Sequence, residues 1–503
     1  MMRNNTLLNI QKNKITYNKY FQEFSTQKKI QKPSDDPTIA VRSLKYRTTL
    51  IEIEQYLTNC DDAQNWMDAT EEPMNNVNGI LDTMIEYVTN AATGTNNTDD
   101  RGTIADQLKQ YTEYIYEQNA NTDYAGRYLF TGFRTDVPLL FSESQNNVTY
   151  NINETLEIND MQRMDYVYGE PVRSDTKTAE DYATEHSLFQ TTNRLMISYK
   201  DCDAQDITIT YKDKDGNENT ITAVTKSIAD AKANGDPYNS QYNPGAGEVF
   251  FVPETGELLF GDDIYDTIRG SIEGAVSMDV DKPHLSVNYT KTDFKTNDIR
   301  PEHYFECSAY DKDTGLTKNY TNTSDQNIQY QINFSQVLTV NTLGKDAFDT
   351  SIMRAVDDVF KVSDEMSVME EKLKSYQKRL NDCDPNDKDL VNSLKELCAQ
   401  TETEISLQNT VITKTYSKCI TVFQDAKGTL NEAVAKHGAK YNRLKMTINK
   451  LDTLQVNTKE AKSENEDADL EEAYVNYSEA ELLYQAALQA TSKILGTSLL
   501  DYI

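Results

Sequence analysis

Residues 469–503 read DLEEAYVNYSEAELLYQAALQATSKILGTSLLDYI, and this stretch decides the fold. Small and apolar side chains recur in alternating steps of three and four, the spacing of a coiled-coil seam: Leu470, Ala473, Tyr477, Ala480, Tyr484, Ala487, Thr491, Ile494 and Ser498. A second apolar set covers much of the remaining surface: Leu482, Leu483, Ala486, Leu488, Ala490, Leu495 and Leu499. One partner helix could not bury both sets, so this helix is predicted to need several neighbours.

A matching helical period begins near the other end of the chain. Residues 33–37 read PSDDP, in which Asp36 is placed to cap a helix and Pro37 supplies the preset φ of its first residue. Apolar residues then keep the same spacing over residues 53–91. Because the interior Pro73 costs about 3 kcal/mol, we expect a kink or a short break near Thr70.

Further segments with this period are predicted at residues 104–115, at 352–380, and from the turn at 382–385 to about residue 462. Long amphipathic segments at both termini most economically pack against each other, so we expect an antiparallel helical rod. The rod is predicted to comprise residues 43–140 and 340–467.

The middle of the chain, residues 141–339, changes to a period of two. Alternating apolar residues mark strands, for example at Val148, Tyr150 and Ile152. Two apolar runs flank the turn PETG at residues 253–256 and predict a hairpin. The fold class is therefore α+β: a long antiparallel helical rod or coiled coil built from both termini, with a β-rich domain inserted at its far end. Because separate cores are expected, few contacts should join the two parts.

Charge restricts the possible partners. The chain has 50 Lys and Arg residues against 81 Asp and Glu residues, a net charge of −31 at pH 7. A field of this sign repels phosphate, so nucleic acid and anionic membrane surfaces are not expected as partners. No window approaches 18 consecutive apolar residues, and the polar N-terminus lacks the apolar region of a cleaved signal peptide.

No catalytic, cofactor or metal-binding motif is recognisable. The four histidines have no metal-binding spacing: His186, His284, His303 and His437. The six cysteines are also far apart, which favours their interpretation as small buried hydrophobes. A disulfide between Cys383 and Cys398 is the alternative. We therefore expect neither an enzyme nor a cofactor.

Several motifs resemble a known family. The run FSTQKKIQKPSDDP at residues 24–37 resembles a signature of the bacterial flagellin superfamily, in the form typical of the FlgL family of flagellar hook-associated proteins. YAGRYLFTGF at residues 124–133 and HGAKYNRL at 437–444 resemble the family's rod motifs, and residues 469–503 resemble its terminal helix. The family motif is formed by Pro33, Ser34, Asp35, Asp36 and Pro37.

Two departures from the family pattern are visible. Gln27 stands where the family usually has Gly, so the helix is expected to continue through this position. The central insertion is also larger than in compact members of the family.

The resemblance implies a structural adaptor at the hook-filament junction. Terminal helices, residues 1–42 and 468–503, would be disordered in the monomer and would coil together in an axial tube. The central domain would be a variable outer domain. The implied assembly interface comprises Leu470, Ala473, Tyr477, Ala480, Leu483, Tyr484, Ala487, Ala490 and Ile494.

The implied partners are other copies of this chain in a ring, a preceding junction protein of the FlgK type, flagellin, and an export chaperone. The implied location is the extracellular flagellum, reached through the flagellar type III export apparatus without a cleaved signal. Two alternatives stay open: a flagellin-type filament subunit, and a surface adhesin or enzyme carried on a helical rod.

Overall fold

The computed structural model describes residues 2–93, 98–157, 160–167, 189–213, 217–233, 242–272, 284–321 and 326–496. Long helices form both ends of the chain and a mixed β-sheet lies between them in sequence, as predicted. The helices are α1 (Met2–Thr26), α2 (Pro37–Ala92), α3 (Thr98–Glu113) with a π-helical continuation (Tyr114–Ala120), α4 (Ile228–Ala233), α5 (Asp262–Ile272), α6 (Pro301–Tyr304), α7 (Gly344–Ala347), α8 (Ser351–Asp382), α9 (Lys388–Glu466) and α10 (Leu470–Gly496).

The described strands form one large sheet and two small hairpins. They are β1 (Asp123–Tyr124), β2 (Arg127–Tyr128), β3 (Val148–Glu157), β4 (Gln162–Val167), β5 (Phe189–Met196), β6 (Ile207–Lys212), β7 (Glu218–Thr225), β8 (Val249–Val252), β9 (Glu257–Phe260), β10 (His284–Lys291), β11 (Glu306–Asp311), β12 (Thr317–Tyr320), β13 (Gln329–Asn333) and β14 (Gln336–Thr339). The large sheet has the order β12-β11-β3-β10-β6-β7-β8-β9-β5-β4. Its neighbours are antiparallel except β7 and β8, which are parallel.

The described residues group into two compact units. The terminal unit comes from Met1–Asn65, Tyr330–Leu338 and Lys440–Ile503, and the central unit from Trp66–Gln329 and Thr339–Ala439. Most of the β13–β14 hairpin therefore belongs with helical residues of the terminal unit, although its sequence predicted membership of the β-rich domain. Ile332 of this hairpin is fully buried, and Asn59 donates to the carbonyl of Gln331 at 2.8 Å.

The predicted hairpin at residues 253–256 is confirmed. Strands β8 and β9 pair in antiparallel register, and Gly256 has φ of +69° in the turn between them. A Cβ at Gly256 would lie 2.1 Å from the carbonyl oxygen of Tyr199, so both the backbone and the space require glycine.

The central unit contradicts the expectation of few contacts between the sheet and the helices. Arg194 of β5 is buried and donates Nη1 to Glu257 at 3.0 Å and Nη2 to Asp358 of α8 at 2.6 Å. Arg354 of α8 donates Nε to the carbonyl of Ile197 at 3.1 Å. Charged groups buried at the contact need partners on both sides, so these parts of the sheet and helix share one core.

Of the predicted kink or short break near Thr70, the break is wrong. Helix α2 runs without interruption through Pro73, which is itself buried. Met67, Met74 and Val77 are buried on either side of it. Packing of this apolar stripe therefore outweighs the one backbone hydrogen bond that the proline removes.

All six cysteines are free thiols, so the structure does not contain the alternative disulfide between Cys383 and Cys398. Burial raises the thiol pKa of Cys60 to about 11 and that of Cys307 to about 12. Protonated, buried thiols are poor nucleophiles, which fits their interpretation as packing residues.

Candidate assembly surface

Helices α1 and α10 pack side by side within the terminal unit. Ala473 is 2% exposed and Ala480 is buried one heptad further along the same face of α10. Small side chains at these positions allow the two helix backbones to approach closely. The coiled-coil seam that the sequence predicts on α10 is therefore covered by the chain's own N-terminal helix, α1.

Aromatic rings complete the contact between α1 and α10. The Tyr477 ring centroid lies 5.7 Å from those of Tyr17 and Phe24 and 5.9 Å from that of Phe21. Tyr484 lies 5.6 Å from Tyr17 in a stacked arrangement. Such pairs each add about 0.5–1.5 kcal/mol beyond the area they bury.

Both helices keep a second apolar stripe on the side away from this contact. Leu482, which is 69% exposed, and Val475 lie seven residues apart and about 180° around α10 from the buried alanines. On α1, Leu8 and Ile15 have the same spacing and lie about 180° from Tyr17. The α1–α10 pair therefore exposes an apolar stripe on each outer side, which we call the outer stripes.

Two backbone segments pair where the chain enters and leaves these helices. Lys29 N–H donates to the carbonyl of Glu466 at 2.8 Å, and Ala468 N–H donates to the carbonyl of Gln27 at 3.0 Å. The ammonium of Lys28 also forms an ion pair with Asp467. The α1–α2 loop and the α9–α10 linker are thus joined by a short ladder, the clasp.

The predicted continuation of the helix through Gln27 is wrong. Helix α1 ends at Thr26, and Gln27 has φ of +58°, the left-handed conformation that glycine adopts most easily. The carbonyl of Gln27 is the acceptor for Ala468 in the clasp. This backbone hydrogen bond helps to hold the glutamine in a strained conformation.

The two aspartates of the family motif have separate structural roles. The Asp35 carboxylate accepts from the N–H groups of Gln31 and Lys32 at 3.0 and 2.9 Å and so closes the loop. The Asp36 carboxylate accepts from Thr38 N–H at 2.8 Å and caps α2 immediately before Pro37, as predicted.

Glu466 is the buried charge of the clasp. It is 3% exposed and accepts from Arg47 Nε and Nη2 at 3.1 and 3.0 Å and from the Ser43 hydroxyl. Burial by itself would raise the pKa of this carboxyl, but the hydrogen bonds from Arg47 and Ser43 outweigh burial and lower it to about 2. Glu466 is therefore ionised across the physiological pH range.

The structure divides the predicted interface residues into three groups. Ala473, Tyr477, Ala480, Tyr484 and the half-buried Ala487 lie on the side of α10 that faces α1. Leu470, Leu483 and Ala490 are exposed. The side chain of Ile494, and all of Ser498 and Leu499, lie outside the part of the chain that is described.

Sequence reasoning missed the partners that complete this surface. Tyr17, Phe21 and Phe24 are spaced by four and three, a signal that the polar surroundings of α1 obscured. Nothing in the sequence connects Arg47 with Glu466, because only the folded backbone brings them together.

Two further findings concern other kinds of site. Within the described residues, no group of three or more His, Cys, Asp or Glu side chains could hold a metal ion. Among the described helices, none has both the length and the apolar character needed to cross a membrane.

Both ends of the chain match family models. Residues 1–135 match the bacterial flagellin N-terminal helical region, and residues 420–503 match the bacterial flagellin C-terminal helical region. The clasp and the α1–α10 pair lie within these two matched ranges. The N-terminal match ends before the first strand of the large sheet, and the C-terminal match begins after its last strand. The large sheet therefore lies outside both matched regions.

Sequence identity to individual relatives is low and covers only part of the chain. The chain is 26% identical over 136 residues to flagellar hook-associated protein 3 of Salmonella typhimurium and, equally, of Escherichia coli, which is 27% of this chain and 43% of each relative. It is 29% identical over 122 residues to a flagellin of Clostridium tyrobutyricum, which is 24% of this chain and 32% of that flagellin. The chain thus spans less than half the length of the curated relatives it matches.

Solved structures of two relatives also align. FlgL of Xanthomonas campestris aligns with a TM-score of 0.27 and 10% identity over 83% of this chain and 99% of that one. The flagellar junction protein FlgL of Legionella pneumophila aligns with a TM-score of 0.26 and 11% identity over 84% of this chain and 100% of that one. Similarity at this level is too low to bear on the fold.

Proposed function

We propose that this chain, which carries the terminal helical regions of the bacterial flagellins, is a structural adaptor that joins the flagellar hook to the flagellin filament. The observation that carries the proposal is the α1–α10 pair, which lies in the matched regions and exposes apolar stripes on both outer sides. The matches to hook-associated protein 3 favour the junction over other places in the flagellum.

The physical reason for assembly is the cost of leaving the outer stripes in water. Val475 and Leu482 on α10 and Leu8 and Ile15 on α1 are all largely exposed. Burying one such aliphatic side chain contributes about 1.5–3 kcal/mol. Neighbouring copies that cover these stripes would therefore stabilise a ring through the terminal helices.

We further propose the partners and the route. The ring would sit on a preceding junction protein of the FlgK type and would present a surface on which flagellin polymerises. The chain would reach the extracellular flagellum through the flagellar type III apparatus, and an export chaperone would be a further partner. No catalytic role is proposed, because the described residues contain no arrangement that suggests one.

The test is deletion of the gene in its source bacterium, with the wild-type gene restored on a plasmid as the control. An adaptor predicts cells with hooks that shed flagellin into the medium, and restoration of filaments by the plasmid. Filaments of normal number and length in the deletion strain would contradict the proposal.

A flagellin-type filament subunit is the second candidate, and the match to the flagellin of Clostridium tyrobutyricum is the observation that favours it. The same deletion separates the two functions. Loss of a filament subunit predicts intact hooks that carry junction proteins, with no flagellin in the cells or the medium.

A further inference from the structure

A cavity of about 360 Å³ lies within the central unit, where strands β3, β4 and β5 meet helices α8 and α9. Its walls include Glu154 of β3, Met164 of β4, Arg194 of β5, Asp358 of α8 and Lys418 of α9. The cavity is partly open to solvent, and its volume lies in the range of about 300–1,000 Å³ that is usual for small-molecule sites. A small molecule can therefore reach the side chains that line it.

The amine of Lys418 lacks a strong hydrogen-bond acceptor. Lys418 is half-buried, and among the described residues its Nζ donates only to the thioether sulfur of Met164, at 2.8 Å. A thioether is a weak acceptor, so it does little to hold the amine in its charged form. Lys414, one helical turn earlier on α9, instead forms an ion pair with Asp165, and its side chain is 55% exposed. Two lysines four residues apart thus have opposite surroundings.

The surroundings of Lys418 also favour its neutral form. Burial and the nearby guanidinium of Arg194 lower the pKa of Lys418 to about 8. The carboxylates of Asp165 and Asp358 act against this shift without cancelling it. At pH 8 about half of the Lys418 amines are therefore unprotonated, compared with about one in 250 for an ordinary lysine. Only the unprotonated amine has the lone pair that attacks a carbonyl carbon, so Lys418 places a nucleophile in the wall of the cavity.

The charges of the cavity walls select the carbonyl compound. Apart from Lys418, the described wall residues carry two guanidinium groups, those of Arg194 and Arg354. The carboxyl groups are more numerous: Glu154, Asp160, Asp349, Asp358 and Asp425. An anionic carbonyl compound, or an acyl donor activated by phosphate, would be repelled by these groups and by the net charge of −31. A neutral aldehyde enters without this cost, and the imine that it forms adds no negative charge.

We propose that Lys418 is a site of covalent modification by small neutral aldehydes, the class that includes short open-chain sugars. The lone pair of Nζ adds to the carbonyl carbon, and a proton moves from the nitrogen to the oxygen to give a carbinolamine. Loss of the carbinolamine hydroxyl group as water then forms the imine. The amine and the aldehyde are thus converted to the imine and water, without an oxidant or a reductant.

The experiment treats the purified full-length chain at pH 8 with glycolaldehyde and sodium cyanoborohydride, which traps each imine as a stable secondary amine. Peptide mass spectrometry then gives the rate of labelling at each lysine. Lys418 should be labelled about tenfold faster than Lys414. Exposure alone predicts the opposite order, because Lys414 is the more exposed of the two.

The pH and the charge of the aldehyde provide two further comparisons. Between pH 8 and pH 9.5 an ordinary lysine gains about thirtyfold in unprotonated amine, whereas Lys418 gains only about twofold. The share of the label that Lys418 carries should therefore fall over this range. Glyoxylate, an anionic aldehyde, should label Lys418 no faster than Lys414.

The variants M164E and M164L form a matched pair. M164E gives Lys418 a carboxylate as its partner and should lower its labelling to the rate at Lys414, whereas M164L keeps the side-chain shape and should leave the labelling fast. Thermal unfolding confirms that each variant is folded.

The proposal is overturned if glycolaldehyde labels Lys418 of the wild type no faster than Lys414, or if glyoxylate labels Lys418 as fast as glycolaldehyde does. Equal labelling of Lys418 in folded M164E and M164L would also overturn it. These readouts do not depend on whether filaments form, so this proposal and the proposed function fail separately.

Discussion

Arg47 and Glu466 lie 419 positions apart in sequence and are joined side by side, from Nε to Oε1 at 3.1 Å and from Nη2 to Oε2 at 3.0 Å. This ion pair fixes the end of α9 against the first turns of α2. The backbone ladder at Gln27, Lys29, Glu466 and Ala468 lies beside it. The clasp thus sets where α1 and α10 begin to pack against each other.

Replacing Arg47 by Met should destabilise the terminal unit by about 1–2 kcal/mol. The buried Glu466 carboxylate would lose two charge-assisted hydrogen bonds, although the partial exposure of Arg47 reduces the effect. Faster hydrogen exchange in α1 and α10 is the measurement. The control is K436M, which breaks an exposed pair with Glu432 on α9 and should change exchange little. Equal exchange in R47M and the wild type would contradict the role of the clasp.

The clasp should weaken in acid. The folded-state pKa of Glu466 is lowered to about 2 from an ordinary value of 4.5, so its contribution is complete above pH 4.5 and is lost as the pH falls towards 2. Thermal unfolding of the wild type and of E466Q, compared between pH 5 and pH 2, isolates this group. The difference between the two proteins should shrink as the pH falls. A difference that is constant with pH would show that Glu466 does not titrate in this range.

Replacing Gln27 by Gly should stabilise the terminal unit by about 1 kcal/mol, because glycine adopts a φ of +58° without steric strain. The matched control is Gln11→Gly in the middle of α1, where the same change should cost about 1 kcal/mol. Hydrogen exchange of α1 amides measures both. If both variants are destabilised alike, the strained conformation of Gln27 is not present in solution.

The sequence predicted those features of the fold that depend on residues close together in the chain. Helix periods, the Asp36 cap and the hairpin at residues 253–256 follow from spacing and turn chemistry, and each is confirmed. It did not predict Arg194 between the sheet and α8, or Glu466 beside Arg47, because such pairs depend on which segments meet in space. At Pro73 the local rule failed because buried packing on both sides outweighs one lost hydrogen bond.

Asp358 should be essential for the stability of the central unit. Its carboxylate pairs with the buried Arg194, which is 3% exposed, and truncation would leave that charge poorly compensated. We expect Asp358→Ala to cost about 3 kcal/mol or more in unfolding free energy, measured by denaturant titration. Asp364→Ala, at an exposed site on the same helix, is the matched control and should have little effect.

Deletion of residues 142–338 should destabilise the helices of the central unit, because their buried charged groups would lose partners. Arg354, Asp358 and Lys414 would each lose a partner that lies in the deleted segment. Circular dichroism of the deletion variant should show a lower thermal transition. An unchanged transition would restore the original interpretation of two independent cores.

The last prediction separates the two sides of α10. Leu482 lies on the outer stripe, so Leu482→Asp should leave the isolated chain as stable as the wild type. In an assembly the same carboxylate would be desolvated without a partner, at a cost of several kcal/mol in each subunit. Ala480 is buried on the α1 side, so Ala480→Asp should already destabilise the isolated chain.

The measurements are thermal unfolding of each purified chain, and motility and flagellin retention after each variant replaces the wild-type gene. Leu482→Asp should abolish motility without changing the unfolding temperature. Full motility with Leu482→Asp would show that the outer stripe is not buried in the assembly, and the adaptor proposal would lose the observation that carries it.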